Sequence, residues 1–486
     1  MTILALVAVA LGGGVATVLV TPEWPRAGTA IGLVAAVGSL AIALVMPIDD
    51  AVATGGTALV GSGLLRVVAI GWAAGTVILG TLELAGRRRV VTGPALLGLG
   101  AAMIAIAVHD PGTGFAALGG GGVAAIMLPG LAGWRGAGGD PAHLPTVVRG
   151  TWATLGSALL GIAVIAWAAS PVGPLANGPP VGDPELRAAA SVALLGIVAA
   201  VAMRSGLIPA HVWAARFTEG VSPLAVPAAL IWGPAAFMLV ALDWGQVAVG
   251  PGGVDDLERV VIILVGIASI VVGGFAAMLH DDLEHVLGYS ILQDAGIAVL
   301  AFASLNTDAA EAARDWLVAS AAIKTALAAW VSAMRSTFGA HRLVDLRGWM
   351  RASPGLAVAL GIIWVGAVGL PGMAIWEARI ALVNATIQGP LGLLLLLVAL
   401  TPVLYLGRVV VTGAGTMSAA VTNGPSARLR WTGGREAGWS GRGLSLRAIR
   451  RALPAKLRAN RAPLTGYAVI LLAIVGFIIA IIGVID

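Results

Sequence analysis

Runs of about 20 consecutive apolar residues recur along this chain, and each is long enough to cross the hydrocarbon core of a bilayer as a helix. They take up most of the sequence: 58% of the 486 residues are hydrophobic and only 11% are charged. No soluble domain of this size needs so much apolar surface, so a polytopic membrane protein is nearly forced. Inside a bilayer every backbone polar group must be paired within the protein, which makes the expected fold all-α. Fourteen spans can be read, at roughly 2–22, 28–47, 64–85, 92–109, 113–134, 151–170, 187–208, 222–243, 259–280, 285–304, 312–334, 354–376, 380–411 and 464–485. The third carries Arg66 at its start. The first lacks the basic n-region of a signal peptide and reads as a span. With 68 Gly and 25 Pro, the chain is suited to close helix packing and to interrupted helices.

Loop charges give an orientation. Loops after odd-numbered spans hold Arg26, then Arg87 to Arg89, Arg135 and Arg149, Arg216, and Arg335, Arg342, Arg347 and Arg351. The last of them has ten basic residues between Arg428 and Arg461. Loops after even-numbered spans are acidic or sparse, with Asp49, Asp50, Asp110, Asp183, Glu185, Asp255, Asp256, Glu258, Asp308, Glu311 and Asp315, against Arg187, Arg259 and Arg314 alone. The positive-inside rule makes the odd loops cytoplasmic and sets both termini on the outer, periplasmic side of a cell inner membrane. The polar insertion from Thr422 to Arg461 reads either as a loop touching anionic lipid headgroups or as a docking surface for a partner subunit.

The chain has no cysteine, which removes disulfides, thiolate-held clusters and Cys-ligated zinc. Six scattered histidines form no ligand pair at helical spacing, and no phosphate-binding or dinucleotide glycine motif occurs. No cofactor or metal is therefore expected in this chain. The net charge of +5 sits in loops and gives no sign of nucleic-acid binding.

Charges within spans are few enough to weigh singly. In MRSGLIPAHVWAARFTEGVSPLAVP, from Met203 to Pro227, Arg204, Pro209 and His211 interrupt an apolar helix. A charge and a proline are tolerated at such depth where a helix breaks against a protein-lined cavity, although an arginine can also snorkel to the interface. Lys324, in VASAAIKTALAAW, is one of two lysines in the chain and lies mid-span. It is too deep to snorkel easily, and the cost of an ionised amine there makes it a credible proton-relay group. Asp294, in SILQDAGIAVL, is its obvious partner, whether the pair is a relay or a structural ion pair. Pro371 breaks the twelfth span in VGLPGMAIWEAR, followed by Glu377 and Arg379, which are two positions apart and so do not face each other on a helix. A proline-broken span with an arginine close by thus occurs twice, the trace of an internal repeat of inverted orientation. HDDLEHVLGY, from His280 to Tyr289, is a polar hinge whose Asp281, Asp282 and Glu284 read as a solvated turn, while His280 and His285 could pass protons at a channel mouth.

These segments, in order from about residue 200 to 380, resemble the signature segments of the antiporter-like membrane subunits of respiratory complex I. RSGLIPAHVWAARFTEGVSPLAV is similar to a pattern of lysine, four residues, Pro-Phe-His-x-Trp-x-Pro and a later Ser/Thr-Pro-Val. HDDLEHVLGYSILQDAGIAVL, HRLVDLRGWMRASP and GLPGMAIWEAR match three further segments of that family. The resemblance implies two inverted five-helix repeats with helices 7 and 12 broken, each carrying a proton half-channel. Its divisions would be helices 1–4 over residues 1–110, the rest of the first repeat over 111–243 and the second repeat over 259–411. A basic cytoplasmic loop would then cover 412–463 and a last helix 464–486. It also implies a multisubunit partner complex: an NADH–quinone oxidoreductase, a membrane-bound hydrogenase or a cation/proton antiporter. Quinone would be met only through a neighbouring subunit, and redox centres would lie outside this chain. The chain stops at Asp486 without a lateral helix, as subunits N and M do. Arg204 falls at the family's seventh-span lysine, Lys324 at a lysine seen in some members, and Arg379 at the twelfth-span lysine. The expected relay set is Arg204, His211, His285, Asp294, Lys324, Glu377 and Arg379. Two departures stand out: the fifth span, GFAALGGGGVAAIMLPGLAGW, has no glutamate, and the eighth has no lysine or histidine. Because arginine does not release its proton at working pH, the first half-channel would be disabled and the second only partly supplied with titratable groups, so a structural membrane-arm spacer that has lost conduction is an alternative.

Overall fold

The computed structural model describes residues 1–54, 57–85, 91–136, 144–176, 183–250, 253–423 and 461–484. The chain is an all-helical, multi-pass membrane protein. Twelve of the described helical segments are long and apolar enough to cross a membrane. In order, the first helices are α1 (Thr2–Val20), α2 (Pro25–Val45), α3 (Gly63–Ala85), α4 (Thr92–Ala107), α5 (Pro111–Gly136), α6 (Leu144–Ala168) and α7 (Pro184–Ser205). A short α8 (Val212–Gly220) leads to the segment Pro223–Ala248, whose last part is α9 (Gly233–Ala248). Then come α10 (Asp256–Leu279), α11 (Leu283–Val299) and α12 (Thr307–Phe338), followed by one turn, α13 (Trp349–Ala352). The chain continues with α14 (Pro354–Val368), α15 (Ala374–Asn384), α16 (Pro390–Ala399), α17 (Pro402–Ala414), α18 (Ala419–Asn423) and α19 (Arg461–Ile482).

The twelfth span is divided into α14 and α15, as its Pro371 led one to expect. Three expectations need correction. The fourth span is not a full-length helix: α4 has only 16 residues, ending where Val108 turns extended and pairs with Leu59. The thirteenth span begins at Pro390, after Gly389 at φ 73°, so 380–384 belongs to the broken twelfth instead. The fold also carries one small antiparallel hairpin, Ala51–Thr54 with Thr57–Val60, next to α4. The basic run from Arg428 to Arg458 lies outside the described residues, as do Arg87 to Arg89.

The interruptions follow from local chemistry. α7 ends because Gly206 adopts φ 63°, and Leu207 N–H returns to Ala202 O. A Cβ on Gly206 would lie 2.5 Å from that of Ala214, so α8 can pack against the break only over a glycine. The peptide before Pro209 is cis. The twelfth span stops at Gly369 (φ 69°) and restarts after Gly372 (φ 88°), with Pro371 between them. The eighth span opens as a 3₁₀ turn, Pro223–Ala225, and continues as a π-helical turn, Pro227–Trp232. A π turn of this kind leaves backbone carbonyls without an ordinary i+4 donor. α12 and the segment Pro223–Ala248 are the most enclosed, the apolar stretch of each being buried throughout. The outward faces of α2, α10 and α16 instead expose Val34, Leu264 and Leu394, as lipid-facing helices do.

Candidate functional site

Two clusters of buried charge lie in this frame. In the second half, Lys324 on α12 is 3% exposed, and its Nζ lies 3.2 Å from Asp294 Oδ2 on α11. The same ammonium donates to Tyr405 Oη on α17 at 3.2 Å. α12 brings Lys324 there because both neighbouring turns are apolar and face other helices, so the cation has no route to an interface. Asp294 also feels the charge of Arg379. A cavity of about 30 Å³ adjoins the pair, lined among others by Ser205, Pro234, Met238, Ser320, Asp294 and Lys324. It has room for one or two waters, and Ser205 Oγ on its wall has no protein partner.

Arg379, on α15, is 1% exposed. Its guanidinium donates to Val368 O at 2.5 Å and Ala367 O at 2.9 Å, the free carbonyls at the end of α14. It also sits over the Trp316 ring, 5.0 Å from the centroid. Arg379 thereby ties the two halves of the broken span together, a role that needs a fork of fixed donors. Glu377 is not in this cluster: it is exposed, and its Oε1 accepts from Gly372 N–H at 3.1 Å across the break.

The first half presents a different picture. Arg204 is 1% exposed, and its one hydrogen bond runs from Nη1 to Ala229 O at 3.0 Å, a carbonyl of the π turn. Its Nε and Nη2 have no partner, and no acid pairs with it among the described residues. Nη2 lies where side chains would otherwise stand, 3.0 Å from a Cβ built on Gly122 of α5 and 2.5 Å from one on Gly233. Gly122 and Gly233 therefore leave the space that this guanidinium fills. His211, at the start of α8, is part-buried, with Nδ1 unpaired, and it makes no contact with Arg204 or Lys324 in the hydrogen-bond and ion-pair geometry.

The hinge before α11 is a third group. His285 pairs with Glu219 of α8 and stacks on His280, with ring centroids 4.5 Å apart; His280 stacks on Tyr289 at 5.1 Å. Burial pushes the His280 imidazole below its ordinary value, and the neighbouring His285 acts the same way. Asp282 caps α11 by accepting from Glu284 N–H at 3.0 Å, and Asp281 pairs with Arg408. Reading this hinge as wholly solvated fails at Glu284, which is 6% exposed and paired with Arg335 at the end of α12. An acid one residue into a helix that then packs on another cannot keep its water.

Two buried polar groups escaped the sequence reading. Tyr405 is 1% exposed, and its position in TPVLYLGRVV gave no sign beyond being one of three tyrosines in the chain. Glu83, at the end of α3, is 5% exposed and accepts from Thr92 N–H at 2.9 Å and Thr29 Oγ1 at 3.3 Å. It closes the start of α4, where Val91 offers no cap. Its signal was an acid inside GTLELAG, masked by the arginines that follow.

Comparison with known proteins fits this geometry. Residues 175–404 match the family model described as NADH:quinone oxidoreductase/Mrp antiporter, transmembrane. NADH-quinone oxidoreductase subunit N 1 of Streptomyces griseus is 31% identical over 214 residues, which is 44% of this chain and 44% of that protein. The chain thus aligns with less than half the length of this curated relative. A chain of respiratory complex I from Thermus thermophilus superposes with a TM-score of 0.68 at 18% identity, over 99% of this chain and 97% of that one. A chain of the Mrp complex from Dietzia gives 0.62 at 17% identity, over 99% and 95%. Both belong to multisubunit membrane complexes. Residues 175–404 therefore form a domain of the NADH:quinone oxidoreductase/Mrp antiporter transmembrane family, in a chain that is a distant homologue of NADH-quinone oxidoreductase subunit N and has the antiporter-like fold.

Proposed function

We propose that this chain is a membrane-arm subunit of a complex I-like, redox-driven pump. It moves protons through buried charges while other subunits carry the redox centres and reduce quinone. The observation that carries this reading is the Lys324–Asp294 pair, 3.2 Å apart beside a cavity that admits water. An ammonium and a carboxylate in low dielectric hold each other charged. Separating them frees the amine to release a proton and the acid to take one. Arg379 adds a further positive charge that acts on Asp294. In this reading the chain crosses the membrane fourteen times as two inverted five-helix repeats, with both termini on the outer side. α4 and the α14–α15 pair supply the two crossings that are not full-length helices.

Arg204 supports a second reading for the first half alone. Without an acid and without a releasable proton it serves as a fixed charge, so that half would hold the membrane arm together without conducting. The fold is shared with the Dietzia Mrp chain, and a subunit of a sodium/proton antiporter without redox partners is the alternative assembly. The deciding experiment is Lys324→Ala in the assembled complex, with proton pumping measured in reconstituted liposomes. Pumping should be lost; unchanged pumping with intact assembly sinks the relay. Genes for a quinone-site or NADH-binding subunit beside this one would decide against the antiporter assembly.

A further inference from the structure

Trp232 closes the π turn that Arg204 holds, and its side chain reaches across to the helix of Lys324. The indole Nε1 donates to Thr325 Oγ1 at 3.0 Å, on the residue next to Lys324 in α12. The direction of that bond is set by its partners. An indole can only donate, and the single hydrogen of the Thr325 hydroxyl is given to Ala321 O at 2.7 Å. Both residues are buried, Trp232 at 2% exposure and Thr325 at 1%.

Glycines make the socket for this ring. It stacks on Trp72 of α3, with centroids 5.9 Å apart and planes 20° from parallel. A Cβ on Gly71 of α3 would lie 2.7 Å from the Trp232 ring, and one on Gly98 of α4 would lie 2.8 Å from the Trp72 ring. A Cβ on Gly75 would lie 3.2 Å from Thr325 Cγ2, so α12 also approaches α3 over a glycine at the level of the bond. In so close a fit the indole N–H can shift against α12 only if the π turn shifts with it.

The same turn carries Arg204. Its Nη1 donates to Ala229 O, three residues before Trp232, and its Nη2 fills the space beside Gly233, the residue after it. Leu230 and Ile231 of the turn line the cavity that adjoins Asp294 and Lys324. The turn therefore touches the cation of the first half on one side and the ion pair of the second half on the other. The 3.2 Å between Lys324 Nζ and Asp294 Oδ2 depends on where α12 stands, and Thr325 is the point at which the turn grips it.

We propose that Trp232 is a positioning residue for the Lys324–Asp294 pair, and that Arg204 acts on that pair through the π turn and the Trp232–Thr325 bond without exchanging a proton itself. A shift of Arg204 against Ala229 moves the turn, and the indole carries the shift to α12. The acid-free first half thus has a role beyond that of a spacer. This inference rests on the relay reading of Lys324.

The test measures proton pumping against pH in the assembled complex in liposomes, with Lys324→Ala as the control for the relay. Trp232→Phe keeps an aromatic ring and deletes the donor. It should slow pumping about threefold to tenfold and move the midpoint of the pH profile by about half a unit, the scale of one lost hydrogen bond. Arg204→Met should move the midpoint in the same direction, and the two combined should move it no further than the larger single variant. The other charged and titratable groups facing the pair, Arg379 of α15 and Tyr405 of α17, stay intact in all of these variants. If Trp232→Phe does not assemble, Thr325→Val removes the acceptor and should give the same shift, while Thr325→Ser keeps the hydroxyl and should restore the parental midpoint. Additive shifts, or an unchanged profile in Trp232→Phe and Thr325→Val, overturn the coupling, and loss of pumping in Lys324→Ala then leaves the relay reading standing. Normal pumping in Lys324→Ala overturns both.

Discussion

The two broken spans use the same device under opposite charge balance. At the first break Arg204 reaches the Ala229 carbonyl of the π turn; at the second Arg379 reaches the Ala367 and Val368 carbonyls at the end of α14. Each arginine pairs backbone oxygens that an interrupted helix cannot pair within itself. The second half adds Asp294 between two cations, Arg379 and Lys324, and a cavity beside them. The first half adds glycine: Gly122 and Gly233 leave room for the guanidinium and offer no acid. A charge that can move needs a partner to leave and rejoin, and among the described residues Lys324 has one and Arg204 does not. The first half retains the architecture of a break without the chemistry.

The comparison is open to breaking, and the largest effect should come from Asp294. Asp294→Ala strands Lys324 and Arg379 as buried cations and should cost about 3–5 kcal/mol of stability. Thermal unfolding of the purified protein in detergent checks this, and the double variant with Lys324→Met should recover part of the loss. Arg204→Met, by contrast, removes a buried cation that has no acid and should shift stability by no more than about 1 kcal/mol in either direction. If it proves as damaging as Asp294→Ala, the two halves are alike and Arg204 has a counter-charge.

Next in size is Gly233→Ala. Its Cβ would press on Arg204 Nη2 at 2.5 Å and on Ala228 O at 2.9 Å, for a cost of about 1–3 kcal/mol. Adding Arg204→Met should relieve part of that cost; no relief would mean that the backbone contact alone is responsible. Arg379→Lys keeps the charge but loses the fork on two carbonyls, and should cost about 1–2 kcal/mol by leaving one of them unpaired. The same unfolding measurement applies, with Arg379→Met expected to be worse.

The smallest effect is at the hinge. His280 binds its proton less readily in the folded protein than when unfolded, with burial as the first cause and His285 the second; Asp282, Glu219 and Asp281 act the other way. A base held below its ordinary value contributes stability that is full above that value, about 6.5, and is lost as pH falls below it. Unfolding between pH 7.5 and 5.5 should therefore show a slight acid destabilisation that His280→Gln flattens. An unchanged slope in the variant would assign the effect to another group.

Reading from sequence worked where one residue type has few ways to be satisfied. Lys324 in an alanine-rich span and the Gly-Leu-Pro-Gly interruption needed no neighbours to be noticed. It failed for groups whose meaning lies in what faces them. Glu284 looks solvated in HDDLEH because Arg335, 51 positions on, cannot be seen beside it. Tyr405 looks like an ordinary aromatic until α17 is set against α12. Glu377 and Arg379 are neighbours in sequence and part ways in space, one exposed and one buried.

Composition and hydrophobic run length settled the solvent, the helical class and most of the crossings, because a bilayer permits few backbone solutions. The chain's own residues also marked where helices must break, since proline and left-handed glycine act locally. What only the tertiary structure decided is which charge meets which. Asp294, Lys324, Arg379 and Tyr405 come from four helices, and the packing of small residues along α10, α11 and α12 sets their distances. At those distances a buried cation is either paired with a carboxylate, as Lys324 is, or held against a backbone carbonyl, as Arg204 is.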